Sequence, residues 1–158
     1  MKSKLFFLLA VSFTVILLDQ ISKAWIEHNV SFYQSIQIIP NFFHITHIKN
    51  TGGAFGILAE FNGFYFKTFF ILFTLLSIGV VGFFYWRLKP NQDGPALGIA
   101  LIIGGAIGNL IDRVRLGGVI DFIDVHYYSL HWPAFNVADS AITIGSALLG
   151  VLIFLKKW

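Results

Sequence analysis

Residues 96–113 read ALGIALIIGGAIGNLIDR, an apolar run rich in glycine and alanine that stops on an Asp-Arg pair. The run is short for a span but sufficient, since about 20 residues of helix cross a hydrocarbon core. Ala100, Gly104 and Gly108 recur every four residues, and a stripe of small side chains lets two membrane helices approach closely. Working outward, three further apolar runs appear: Leu5 to about Ile21, Phe64 to Trp86, and Pro133 to Leu155. Ala141 and Gly145 repeat the small-residue spacing in the last.

Composition agrees. Of 158 residues, 56% are hydrophobic and 12% charged, where a soluble domain carries about 25% charged residues. So much apolar surface cannot be hidden in one small core, so lipid must solvate much of the chain. Four spans use about half of the length, leaving one polytopic membrane domain over 1–158 and no evident linker or repeat. The net charge of +3 contains no basic block that would grip nucleic acid, and the absence of cysteine excludes disulfides and thiolate chemistry.

Charge also orients the spans. Lys2, Lys4, Arg87, Lys89, Lys156 and Lys157 crowd into very short segments, whereas Lys23, Lys49, Lys67, Arg113 and Arg115 spread over two longer ones. The positive-inside rule then predicts both termini in the cytoplasm, with 22–63 and 112–132 facing outward. Trp25, Trp86, Trp132 and Trp158 all fall at span ends, where indole rings favour the headgroup level. A competing view of the N-terminus is a cleaved signal peptide, with Lys2/Lys4, an apolar stretch and Ser22-x-Ala24. Residues 31–58 mix β-branched and aromatic residues with turn formers, which predicts a small β-rich cap on the outer surface.

The informative anomaly is charge in or beside lipid: Asp19, Asp112, Asp121 and Asp139, with Lys23 and Arg113. A rise of about 1.5 Å per residue puts Asp19 about 20 Å along span one and Asp112 about 25 Å along span three. Asp139 falls about 10 Å below the outer surface on the same count, and Asp121 can fold back to that level. Four carboxylates can therefore converge on one outward-facing site. Two neighbouring carboxylates share a proton, so one can deprotonate water while the other protonates a carbonyl oxygen, with no cofactor. No G-x-S-x-G elbow or HExxH is present, and His44 and His47 would point apart on a strand.

The stretches GGAIGNLIDR at 104–113, GVIDF at 118–122 and FNVADS at 135–140 together resemble the lipoprotein signal peptidases, or signal peptidase II. NTGGAF at 50–55 resembles that family's outer-loop block, and Asp19 with Lys23 its first-helix acid/base pair; Gly53 stands where alanine is more usual. The resemblance covers essentially the whole chain. It implies an all-α bundle of four transmembrane helices with a small β-rich outer cradle. The implied enzyme is an intramembrane aspartic endopeptidase that removes signal peptides from diacylglyceryl-modified prolipoproteins, cutting before the lipidated cysteine. It further implies Asp121 and Asp139 as the catalytic pair, with supporting and binding roles for Asn50, Asn109, Asp112, Arg113, Asn136 and Ala138, and retention of span one. Expected partners are lipidated prolipoproteins, membrane lipids and globomycin-type cyclic depsipeptide inhibitors; a monomer in the bacterial inner membrane is expected.

Each residue has a plainer alternative. Asp121 and Asp139 could cap helices or pair with Arg113 or Arg115. Asp19 and Lys23, four apart, could form only a helix ion pair. Asn50 before Thr-Gly-Gly is a turn residue or a substrate contact. Asn109 and Asp112 share a helix face and are expected to brace Asp121, with Arg113 satisfying Asp112 or a backbone carbonyl; Asn136 shares a face with Asp139, and Asp124 is expected in solvent. Two other functions would use the same acids: a small proton-coupled transporter, against which stand their height in the bilayer and the lack of related halves, and a metal-dependent membrane hydrolase.

Overall fold

A computed structural model describes residues 2–52 and 64–155. In chain order it comprises α1 (Lys2–Asn29), β1 (Ser35–Ile39), β2 (Phe43–Asn50), α2 (Phe64–Arg87), α3 (Asp93–Leu116), β3 (Val119–Tyr127), β4 (Leu130–His131) and α4 (Val137–Phe154). All four helices are long and apolar enough to cross a membrane.

The span limits depart from the expected ones where polar chemistry takes over. α1 runs eight residues past Ile21, because Ile26 and Val30 continue the apolar face into a core shared with Ile120 and Phe122 of the sheet. α3 extends beyond both ends of the 96–111 run. It closes at Gly117, whose φ of 74° is the left-handed cap geometry that glycine adopts without steric cost. α4 starts at Val137 rather than Pro133: Asn136 caps it by accepting from the Asp139 N–H (2.9 Å), while Phe135 pairs with Ile123 of β3.

The β-rich cap is a four-stranded antiparallel sheet in the order β1-β2-β3-β4. Half of its strands come from 119–131, a region expected only as an outer segment, while 53–58 of the expected cap lie outside the described residues. β2 carries a register shift between Ile45 and Ile48, after which Ile48 faces Asp121 across the β2–β3 ladder.

α3 is the central helix and packs against each of the other three. Most of its small residues are buried, while α1, α2 and α4 turn leucine, isoleucine and phenylalanine side chains outward. That division is expected where lipid surrounds three helices and protein surrounds the fourth. A Cβ on Gly104 would sit 2.9 Å from Val15 Cβ of α1, and one on Gly105 2.4 Å from the Ala138 carbonyl oxygen of α4. On α4, a Cβ on Gly145 would sit 2.5 Å from the Gly98 carbonyl oxygen. The small-residue stripes are thus the contact lines between helices.

The N-terminal end of α1, the α2–α3 turn and the last turns of α4 share one end of the bundle. There the Lys4 ammonium donates to the Leu88 carbonyl, the Tyr85 hydroxyl donates to the Lys4 carbonyl (2.7 Å), and Leu152 abuts Gly94. The sheet and the polar centre lie at the other end.

Candidate active site

Asp121 is carried by β3 and Asp139 by the first turn of α4. Both open into one cavity of about 740 Å³, whose walls include Phe70 and Phe73 of α2, Ile102 and Ala106 of α3, and Ile142 of α4.

Among the described residues, three asparagines surround the two acids. Asn50 Nδ2 donates to Asp121 Oδ2 (3.1 Å) and Asn136 Nδ2 to Asp121 Oδ1 (2.8 Å), while Asn109 Nδ2 donates to Asp139 Oδ1 (2.8 Å). The direction of each amide is set by its other end, because a carbonyl oxygen must face a donor. Asn50 Oδ1 accepts from Gly52 N (3.0 Å), Asn136 Oδ1 from Asp139 N (2.9 Å), and Asn109 Oδ1 from Lys23 Nζ (3.0 Å). Asn50 therefore makes its turn and reaches the acid at once. The expected bracing needs correction in one respect: Asn109 meets Asp139, not Asp121.

Behind this layer lie Asp19, Lys23 and Asp112, all essentially inaccessible to solvent. The Lys23 ammonium is 2.8 Å from Asp19 Oδ2 and 2.8 Å from Asp112 Oδ2, so the i,i+4 pair extends to a third residue on another helix. Asp112 does not pair with Arg113. Its Oδ2 accepts from Ile120 N (3.2 Å), and the Arg113 guanidinium instead turns toward the cavity, reaching the Asn109 carbonyl (3.4 Å) and lying 5.6 Å from the Phe70 ring centre. The physical reason is their succession on α3: adjacent residues of a helix project to different faces, Asp112 toward Lys23 of α1 and Arg113 toward the cavity. Ala138 is fully buried, and its N–H donates to Asp19 Oδ1 (3.0 Å).

Burial first, and then the nearby Asp139 carboxylate, push the Asp121 carboxyl up from its ordinary range to about 7; the Asn50 and Asn136 donors and Lys23 pull the other way. An acid poised there exchanges its proton near neutral pH.

Two features escaped the sequence reading. Gln20 donates to both Asp19 Oδ2 (3.1 Å) and Asp112 Oδ1 (3.0 Å); its place beside Asp19 and three residues before Lys23 was the available signal. Asp124 is not a solvated acid: its side chain is 15% exposed and accepts from His131 Nδ1 (2.9 Å). His44 and His47 do point apart, toward Ser35 (3.1 Å) and the Val30 carbonyl (2.7 Å) respectively.

Four apolar spans, a small antiparallel sheet and a polar centre opening to one cavity define a polytopic membrane protein with a carboxylate-bearing site. A family model described as signal peptidase (SPase) II matches residues 11–155. The chain belongs to the signal peptidase II family, a family of proteases. It is 49% identical over 142 residues to the lipoprotein signal peptidase of Geobacter sulfurreducens, a match covering 90% of this chain and 88% of the relative. It is 45% identical over 151 residues to that of Syntrophotalea carbinolica, covering 96% and 90%. A solved structure described as a bacterial membrane enzyme, determined by the in meso method at 2.3 Å, superposes with a TM-score of 0.81 at 34% identity, covering 95% of this chain and 87% of that one.

Proposed function

We propose that the protein removes signal peptides from diacylglyceryl-modified prolipoproteins, cutting before the lipidated cysteine, with Asp121 and Asp139 as an aspartic catalytic pair. The observation that carries the residue assignment is that two carboxylates on separate elements open into one cavity, with three amide NH2 groups fixed toward them.

The chemistry follows from one proton shared by two like charges. The ionised member takes a proton from water as the water oxygen attacks the scissile carbonyl carbon, and the protonated member donates to the carbonyl oxygen. Collapse of the tetrahedral adduct breaks the C–N bond. The carboxyl that took the water proton passes it to the departing amine, and the other recovers its own, so the pair is restored. The amides hold each carboxylate in one rotamer throughout. Arg113 makes no ion pair with a carboxylate among the described residues, and its cavity position suits it to bind backbone carbonyls of the extended substrate.

The apolar walls suit the diacyl chains, which can remain at lipid level between α2 and α4 while only the scissile peptide reaches the acids. Lipidation then acts as an address: desolvating two acyl chains from lipid into a dry protein site would gain nothing, whereas leaving them in the bilayer delivers the peptide at the correct depth. On the charge bias, both termini face the cytoplasm and the site faces outward from the bacterial inner membrane. The protein acts as a monomeric single domain, and globomycin-type cyclic depsipeptides would occupy the same cavity.

The test uses purified protein in bilayers with one prolipoprotein in diacylated and unlipidated forms. The expected result is cleavage of the diacylated form alone, leaving an N-terminal lipidated cysteine, with activity retained after thorough chelation. No cleavage together with proton-driven solute uptake into vesicles would replace this reading with transport; loss of cleavage on chelation would replace the aspartic mechanism.

A further inference from the structure

Asp19, Lys23, Asp112 and Gln20 are absent from the cavity wall, yet they connect the two acids that line it. Asp112 Oδ2 accepts from the backbone N–H of Ile120 (3.2 Å), the residue directly before Asp121. Asp19 Oδ1 accepts from the backbone N–H of Ala138 (3.0 Å), the residue directly before Asp139. Each buried carboxylate thus holds the main chain one residue upstream of a proposed catalytic acid.

The two holding carboxylates would repel each other if left alone. Lys23 joins them at 2.8 Å to each, but a single ammonium compensates only one of two negative charges. Gln20 supplies donors without adding charge: the two hydrogens of its Nε2 serve Asp19 Oδ2 (3.1 Å) and Asp112 Oδ1 (3.0 Å), with the Gly108 carbonyl oxygen sharing them at 3.2 Å. Asp112 Oδ1 has no other hydrogen-bond donor among the described residues. The fit is tight, since a Cβ on Gly108 would stand 2.6 Å from Asp19 Oδ2.

We propose that Gln20 is a positioning residue: by locking Asp19 to Asp112 it completes a bracket that fixes the separation of Asp121 and Asp139. The inference rests on the aspartic reading above. On one flank β3 and α4 are already held by the Ile123–Phe135 backbone pairing; the bracket holds the other flank, from behind the acids. Loosening it lets the acids drift, and misplacement of reacting groups by about 1 Å can cost about 100-fold in rate. It also weakens the repulsion between Asp121 and Asp139. The charged groups facing Asp121 are Asp139 of α4, Lys23 of α1 and Arg113 of α3.

The test compares the full-length native protein with Gln20→Met, Gln20→Glu and Asp139→Asn on a diacylated prolipoprotein in bilayers. Gln20→Met keeps the bulk and removes the donors. The expected result is kcat per folded molecule about tenfold lower, KM unchanged, and a basic limb of the pH–rate profile moved to lower pH. In Gln20→Glu the new carboxyl faces Asp19, Asp112 and Lys23. It can donate only when protonated, so its kcat relative to the native protein should rise as pH falls, even if Gln20→Met fails to fold. Native kcat and an unmoved pH limb in folded Gln20→Met, or a pH-independent kcat ratio in Gln20→Glu, overturns the bracket while an inactive Asp139→Asn leaves the aspartic reading standing. Full activity of Asp139→Asn overturns both.

Discussion

The two flanks of α3 are built from similar material and do opposite things. α1 and α2 are both long apolar helices resting on it. On the α1 side, Ser12 donates to the Ala100 carbonyl (2.9 Å), Gly104 meets Val15 and Ser12 closely, and four polar side chains interlock. On the α2 side, contact concentrates at one end, around Tyr85, Leu88, Ala96, Ile99 and Ile103; toward the sheet, Phe70 and Phe73 stand back to wall a cavity. A Cβ on Gly108 of α3 would collide with Asp19, so the α1 joint leaves no spare room, whereas the α2 seam carries phenylalanines at the same level. Within lipid, where apolar surface does not itself drive helices together, close approach and buried hydrogen bonds hold a fixed joint. A looser seam of bulky side chains leaves room for a substrate.

The largest effect that would break this comparison is expected at Gly108. Gly108→Ala intrudes on Asp19 and should lower the cleavage rate on the order of 100-fold by disturbing the geometry behind the acids, as measured by product release from a diacylated prolipoprotein. A native rate would mean that the α1 joint does not determine the site.

How much of this was legible in sequence depended on the solvent. The four spans could be located because lipid demands continuous apolar length. Their ends could not: Ser22, Lys23, Glu27 and His28 look like the start of a loop, yet the backbone hydrogen bonds of α1 continue through them. β3 was missed because Ile120, Asp121 and Phe122 are all buried, so the strand lacks the alternation that marks one solvated face. The acids were legible as anomalies, and the i,i+4 spacing of Asp19 and Lys23 anticipated their pairing. Which asparagine meets which acid, the approach of Arg113 to Phe70 and the bridging from Gln20 to Asp112 arise from contacts across 15 to 92 residues, which spacing along one helix cannot encode.

A smaller effect concerns pH. Asp121 is held near 7, above its ordinary range, so the folded protein binds a proton there that the unfolded chain releases. Stability from this group is fully present below about pH 4 and lost as pH rises through about 7. Asp121→Asn should therefore melt at a higher temperature than the native protein at pH 8, with the gain vanishing near pH 4; a difference independent of pH would contradict the assignment. In the native protein kcat/KM should fall above about pH 7, as the shared proton is lost.

The smallest effect is expected on α2 at two glycines outside its contact with α3. Gly79→Ala and Gly82→Ala enter open space and raise helix propensity, so melting temperature should stay level or rise slightly, corresponding to at most about 1 kcal/mol, with cleavage unchanged. A marked loss in either would show that α2 is held more tightly than its contacts indicate.

The central claim is that Asp121 and Asp139 together hydrolyse the scissile peptide. Its most direct measurement is single-turnover cleavage of a diacylated prolipoprotein by the native protein, Asp121→Asn and Asp139→Asn in the same bilayers, with folding verified by thermal melting. Each variant should insert and melt cooperatively while its rate falls by a factor on the order of 1,000 or more. Native-like cleavage by either folded variant would contradict the account.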